Sequence, residues 1–311
     1  AIWTSPRTDV SGFRNVGEYA AADEAGQVWL SGFRKAVASA ATTTNAWIDY
    51  TYFAGSPPAN FYASAPLVAA VVDADKGIYT GGNVSPASKH LKNILLMSAA
   101  ASATSTTNGR QEVAVCDYLL YYPFIDTDAI GEEQVLDNTV TLPRYATQGG
   151  LVVAVAQSAA SAIGQFTFSY TNQDGVAGRT SQNNFTFIVA GGGQVVGASG
   201  AGASYNPFCY LQAGDTAVRS IESVTMSAAG GGLMCLAIVK PLIKTVVTQE
   251  CRRTTTGNLE SYGACTELAS IIHQSGAPRI YDGAVIGLLA SGYAGSLASS
   301  FLSGALEVIW N

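Results

Sequence analysis

The sequence predicts a mainly β protein: an antiparallel β-sandwich of jelly-roll type with an N-terminal helical arm. Three observations carry this. Short apolar or aromatic runs alternate with Gly/Asn/Asp punctuation between Leu91 and Leu242. The stretch Gln165–Thr171 puts Phe166, Phe168 and Tyr170 on one face, and Asn184–Val189 repeats the alternation with Phe185, Phe187 and Val189. A period of two with aromatic inward positions marks a half-buried antiparallel strand. No helix-length crossover separates consecutive runs, which argues against a parallel α/β sheet.

Taken in order, residues 1–90 read as an arm and an extended connection. Asn15 and Glu18 have the spacing of a capping box. Tyr19, Ala22, Val28, Trp29, Phe33 and Val37 follow at roughly helical spacing, with acids early and Arg34 and Lys35 late. That pattern predicts a helix from about 16 to 40. Trp47–Phe53 reads as a strand, and Pro57, Pro58, Pro66 and Pro86 restrict the connection from 55 to 90.

The segment 91–244 holds eight expected strands: Leu91–Ala101, Glu112–Ile125, Val135–Leu142, Leu151–Gln157, Gln165–Thr171, Asn184–Val189, Ser220–Met226 and Leu233–Leu242. Asn108-Gly109 is a hairpin signal between the first two. Asn172–Gly175 and Ala229–Gly232 read as turns, and Gly191–Gly202 as a Gly-rich loop. Eight short antiparallel strands suggest two facing sheets of the jelly-roll kind. Residues 245–311 are expected to add strands or form a small Gly/Ser-rich lobe. In that region Leu259–His273 reads as a short helix, and Arg279–Tyr293 and Ala305–Trp310 as strands.

Composition narrows the function. Only 12% of the 311 residues are charged, 16 Lys/Arg and 22 Asp/Glu, against about 25% in average proteins. A surface so poor in charge suits a subunit covered by its neighbours. The net charge is −6, with no basic run, which disfavours direct nucleic-acid binding. Residues 1–14 lack the apolar region of a secretory leader. Gly283–Leu306 carries no charge, but its Gly and Ser content suits packed strands and turns better than a membrane helix. The five cysteines, Cys116, Cys209, Cys235, Cys251 and Cys265, form no Cys-x-x-Cys pair and point to a reducing compartment.

Signs of catalysis are sparse. His90 and His273 are the two histidines, and neither has a nearby carboxylate in sequence to suggest a triad. The chain has no nucleophile elbow, phosphate loop or zinc spacing, and no cofactor is expected. The acidic run Asp126–Glu133 with Asp137 partly matches a calcium loop, making Asp126, Asp128 and Asp137 weak metal candidates. A solvated acidic loop is the plainer expectation. Trp29, Phe33, Trp47, Tyr50 and Arg179 are candidates for contacts with other subunits.

Several strings bring a family into view. Tyr170-Thr-Asn-Gln-Asp-Gly-Val-Ala-Gly-Arg-Thr-Ser181, the stretch Leu211–Thr225, the glycine turn and Ala237-Ile-Val-Lys-Pro-Leu242 resemble structural proteins of tailed-bacteriophage virions. Asp117–Phe124 and Thr139–Tyr145 add to the likeness, which covers roughly residues 1–245. The resemblance implies a non-enzymatic, multi-copy virion component, most like a capsid cement or decoration protein. Its expected partners are the major capsid protein and copies of itself, in a homo-oligomeric assembly formed in the bacterial cytoplasm. A major coat subunit ranks second and a tail or fibre protein third. From another class, a carbohydrate-binding sandwich would use Asp126, Asp128 and exposed Tyr and Trp side chains.

Overall fold

The computed structural model describes residues 13–37, 46–100, 111–186, 191–196, 206–247, 249–250, 265–270, 278–292 and 300–311. The chain is mainly β, and its long ladders are antiparallel. Helix α1 spans Val16–Glu24, and is followed by β1 (Val28–Ala36), β2 (Trp47–Asp49), β3 (Gly55–Ser56), β4 (Ala70–Val71), β5 (Lys89–Ala100) and β6 (Gln111–Asp126). Next come β7 (Glu133–Val135), β8 (Leu151–Ala156), β9 (Gln165–Asn172), β10 (Arg179–Thr180), β11 (Asn184–Phe185) and β12 (Val195–Val196). The chain closes with β13 (Val218–Ala228), β14 (Leu233–Val247), β15 (Gln249–Glu250), β16 (Cys265–Ser270), β17 (Arg279–Ile280), β18 (Ile286–Gly292) and β19 (Ser300–Trp310).

The helix expected over 16–40 stops at Glu24. Asn15 Oδ1 accepts from the Glu18 amide at 2.9 Å, and the Glu18 carboxylate accepts from the Arg14 amide at 2.8 Å rather than from Asn15. At the other end Gly26 sits at φ 70°. Its amide bonds Asp23 O, and the Gln27 amide bonds Ala22 O. This paired arrangement is a Schellman motif, and a left-handed glycine completes it readily. The chain then leaves as β1, which pairs with β19 along its whole length.

Other expectations change for similar reasons. The Trp47–Phe53 strand is only Trp47–Asp49, because Asp49 caps a single 3-10 turn at Tyr50–Tyr52 by accepting from the Thr51 amide. The Val135–Leu142 strand shrinks to the end of β7. Cys265–Ser270, inside the expected helix, is a strand on β5. Asn108-Gly109 lies outside the described residues, but the strands around it do not form a hairpin. Instead, β5 pairs with β16, β17 and β19, while β6 pairs with β14, β18 and β4.

Three sheets result among the described residues. The first runs β15-β16-β5-β19-β1-β3, the central one β12-β8-β14-β6-β18-β2 and the third β10-β9-β13-β7. The boundaries expected at 90 and 244 do not divide them: β1, β5 and β19 share a sheet, as do β2, β6 and β18. The C-terminal strands therefore extend the main sheets.

The central sheet is covered on both faces. On one face Val113, Val115, Ile243 and Ile286 pack against Phe33, Ile94, Leu96, Leu302 and Leu306 of the first sheet. Further along that face, Leu119, Val152, Leu236 and Ile238 meet Phe166, Phe168, Tyr170, Ile221 and Val224 of the third. The opposite face, with Ala114, Cys116, Tyr118, Val153, Cys235 and Trp47 of β2, packs with Tyr62 and Val72. Strands buried on both faces read as continuous apolar runs, as β6 and β14 do. Phe166, Phe168 and Tyr170 are at most 1% exposed, each contributing about 1.5–3 kcal/mol by burial. No helix among the described residues is long and apolar enough to cross a membrane.

Candidate functional site

The five expected contact residues separate sharply. Trp29 lies at the rim of the first sheet, 44% exposed, edge-on to the exposed Tyr79 ring at 5.5 Å. Phe33, Trp47 and Tyr50 are buried in the core, at 4%, 0% and 0% exposure, and cannot meet another subunit. They turn inward because Phe33 occupies the face of β1 against the central sheet, while Trp47 and Tyr50 lie on opposite sides of the central-sheet core. Arg179 is fastened within its own subunit: Nε and Nη2 donate to Asp215 at 2.9 and 3.3 Å. Tyr170 and Asn172 also donate to Asp215. Arg179 thus clamps the turns around β9, and its donors hold the Asp215 carboxyl down to about 2.

The acidic loop is likewise committed to backbone. Asp126 Oδ1 accepts from the Asp128 amide, and Asp128 Oδ1 from the Gly231 amide, both at 2.8 Å. Among the described residues no group of three or more His, Cys, Asp or Glu is placed to hold a metal ion. The chemistry of Asp126 and Asp128 is that of a tied, solvated turn, while Asp137 lies apart from it, exposed, with its backbone paired to Leu67 and Ala69.

The densest polar chemistry lies elsewhere, in residues the sequence did not mark. Asp49 is completely buried and accepts from the Thr51 amide and hydroxyl, from Tyr118 Oη at 2.8 Å and from Tyr62 Oη at a short distance. Burial pushes its carboxyl up, against the pull of these donors. The Tyr62 and Tyr118 phenols are pushed well up by burial and by Asp49. Every member is buried, so the cluster serves as an internal strut joining β2, the 3-10 turn, the 60–62 segment and β6.

Beside it, Lys35 is buried on β1 and donates to Thr51 O, Pro57 O and Pro58 O at 3.5, 2.8 and 3.3 Å. Burial lowers its ammonium to about 8, with Asp49 opposing. The sign of the pH effect follows. Between about 8 in the folded chain and about 10.4 unfolded, the unfolded chain holds the proton and the folded chain has lost it, so stability rises with pH. Lys89 and Lys240 are lowered too and act in the same direction. Burial opposes this through the thiols of Cys116, Cys209 and Cys235 and the phenols of Tyr50 and Tyr122, all raised. These groups ionise first in the unfolded chain and lower stability above about pH 8.5 and about pH 10 respectively. The Lys35 contribution is therefore read by difference: the melting temperature of the wild type relative to Lys35→Met should rise from about pH 8 towards 10, and a pH-independent gap in thermal scans would refute the assignment.

A second strut closes the junction where the first and third sheets meet on the central one. Arg144 Nε and Nη2 donate to the two Asp117 oxygens at 2.9 and 2.8 Å, and Nη2 also reaches Tyr118 O at 3.0 Å. Around it Tyr145 and Tyr281 stack edge to face at 4.8 Å, with Lys240 over the Tyr145 ring. These pairings join residues distant in sequence and leave no local pattern. The one sequence signal for them is the presence of Asp in the apolar runs 47–53 and 113–125.

No protein-family model, curated protein or solved structure matches this chain. What the geometry supplies is a set of internal fasteners and an exposed apolar rim comprising Trp29, Leu30 and Tyr79.

Proposed function

We propose that this chain is a non-enzymatic structural component of a tailed-bacteriophage virion, a cement or decoration subunit that stabilises a shell through protein–protein contacts. One observation carries the reading. The carboxylates and cations with distinctive surroundings are spent on internal struts, while large apolar side chains such as Trp29, Leu30, Phe61 and Tyr79 remain at the surface. A catalytic protein would expose the reverse pattern, polar groups converging on an accessible cleft. The charge-poor composition supports it further, since an assembly subunit gains by covering such a surface at roughly 25 cal/mol per Å² of apolar area. In this reading the β8–β14–β6 and β9–β13 layers form the jelly-roll-type body, and the rim around Trp29 and α1 takes the place of the N-terminal arm. Mass spectrometry of intact particles tests it. Copy numbers comparable to the shell protein are expected, and a few copies per particle, or none, would overturn it.

A further inference from the structure

The outer edge of the first sheet is open along part of β1. Successive residues of an antiparallel strand direct their backbone groups alternately to the two sides. Gln27 O accepts from the Trp310 amide and the Val37 amide donates to Ser300 O, so odd-numbered residues face β19. The Ala36 amide instead donates to Ala54 O, so even-numbered residues face outward, towards β3. That neighbour covers little: β3 pairs only with Arg34 and Lys35. Among the described residues nothing pairs with the outward backbone groups of Val28, Leu30 and Gly32. Leu30 is 64% exposed, and Gly32 is exposed as well.

Proteins usually blunt such an edge with lysine, proline, a bulge or a covering segment. Residues 28–32, Val-Trp-Leu-Ser-Gly, contain no charge and no proline, and the β1–β19 ladder runs without a register shift. The nearest cations, Arg34 and Lys35, lie at the positions β3 occupies.

We propose that this edge is a strand-addition site and that its occupant is the same edge of a second copy, antiparallel about a two-fold axis at Leu30. Three features of the window select a copy of itself over an unrelated strand. The open backbone groups, those of Val28, Leu30 and Gly32, are centred on Leu30. In the Leu30-centred register Val28 faces Gly32 and Trp29 faces Ser31, so every open backbone group finds a partner and no bulky side chain off the axis faces another across the seam. No like charges face each other, and the first sheet continues from one subunit into the next. The exposed Trp29–Tyr79 pair then flanks the seam, supplying the aromatic burial that anchors interfaces. This deepens the assembly reading and rests on it for its setting only. Absence from particles would sink that reading without touching the edge, whereas a monomeric pure chain would sink the edge alone.

Sedimentation velocity of the full chain over a concentration series reads the association. The wild type is expected to form dimers. Leu30→Lys sets two cations against each other at the axis, and should raise the dimer dissociation constant about tenfold or more with an unchanged far-ultraviolet circular dichroism spectrum. Leu30→Cys gives a readout independent of the lysine variant's folding. Facing Cα atoms about 5.5 Å apart suit a disulfide, so mild oxidation should link residue 30 to residue 30, identified by peptide mass spectrometry. Gly32→Cys, off the axis, should not link to itself. A wild type that stays monomeric overturns the proposal. So does association indifferent to Leu30→Lys, or a Leu30→Cys thiol that links to another segment of its own chain or to a different surface.

Discussion

Replacing Arg144 with alanine is expected to cost about 3–5 kcal/mol of unfolding free energy, the usual penalty for orphaning a buried charge. Asp117 has no exposed surface, and the Arg144 side chain is 8% exposed. The Asp117 carboxylate also accepts from the Val285 amide, at 2.9 Å. Burial already raises its carboxyl, while the hydrogen bonds and charge of Arg144 hold it down. Without the guanidinium, protonation becomes the cheaper state. The folded variant then binds a proton that the unfolded chain releases above about pH 4, so its stability falls as pH rises through that window. The gap between variant and wild type should therefore be small near about pH 4 and widen towards pH 7. Adding Asp117→Asn should recover part of the loss, since the pair would then be removed as a unit. Urea unfolding at two pH values checks both points, and a pH-independent loss would mean that Arg144 acts through packing alone.

Position explains why so much depends on this pair. Asp117 lies on the face of β6 that carries Val115 towards the first sheet and Leu119 towards the third. A polar fastener at that seam fixes how the two flanking sheets share the central one. The Asp49 cluster does comparable work on the opposite face. Both are internal, which is why neither recommends itself as a reaction centre although burial raises both carboxyls.

The sequence is most legible where one physical signal dominates. Phe166, Phe168 and Tyr170 alternate cleanly because β9 has one wet face, and the structure buries all three. The Asn15 cap and the Gly26 stop of α1 are both present in the sequence, yet the spacing makes β1 look like more helix. The reason is arithmetic. Trp29, Phe33 and Val37 are four apart, a spacing that fits a period of 3.6 nearly as well as a period of two. The residue that settles the matter, Lys35, sits on the inward face where an apolar side chain is expected, held by three backbone carbonyls. Pairing is least legible. The Asn108-Gly109 signal favours a local hairpin, but burial of both faces of β6 between other strands wins over turn propensity. The struts leave no local trace either: Asp117 and Arg144 are 27 residues apart, and Asp49 reaches Tyr118 across 69.

Trp29 and Trp47 carry the same meaning in sequence and should behave oppositely in experiment. Trp47→Ala is expected to cost about 3–5 kcal/mol of stability, because the side chain is fully buried among Tyr62, Val153, Val155 and Leu289. Among the described residues its indole Nε1 has no hydrogen-bond partner, although Lys244 Nζ sits over the ring at 5.6 Å. An unpaired buried donor costs about 1–3 kcal/mol, so Trp47→Phe, which removes the donor and keeps an aromatic ring, should lose well under half of what alanine loses. Trp29→Ala removes a side chain that is 44% exposed and should change stability by about 1 kcal/mol or less, while weakening self-association at the β1 edge. Denaturant unfolding and sedimentation on the three variants separate the outcomes. If Trp29→Ala unfolds the chain and Trp47→Ala spares it, the inward and outward faces assigned to these strands are reversed, and the β1 edge cannot be the seam between subunits.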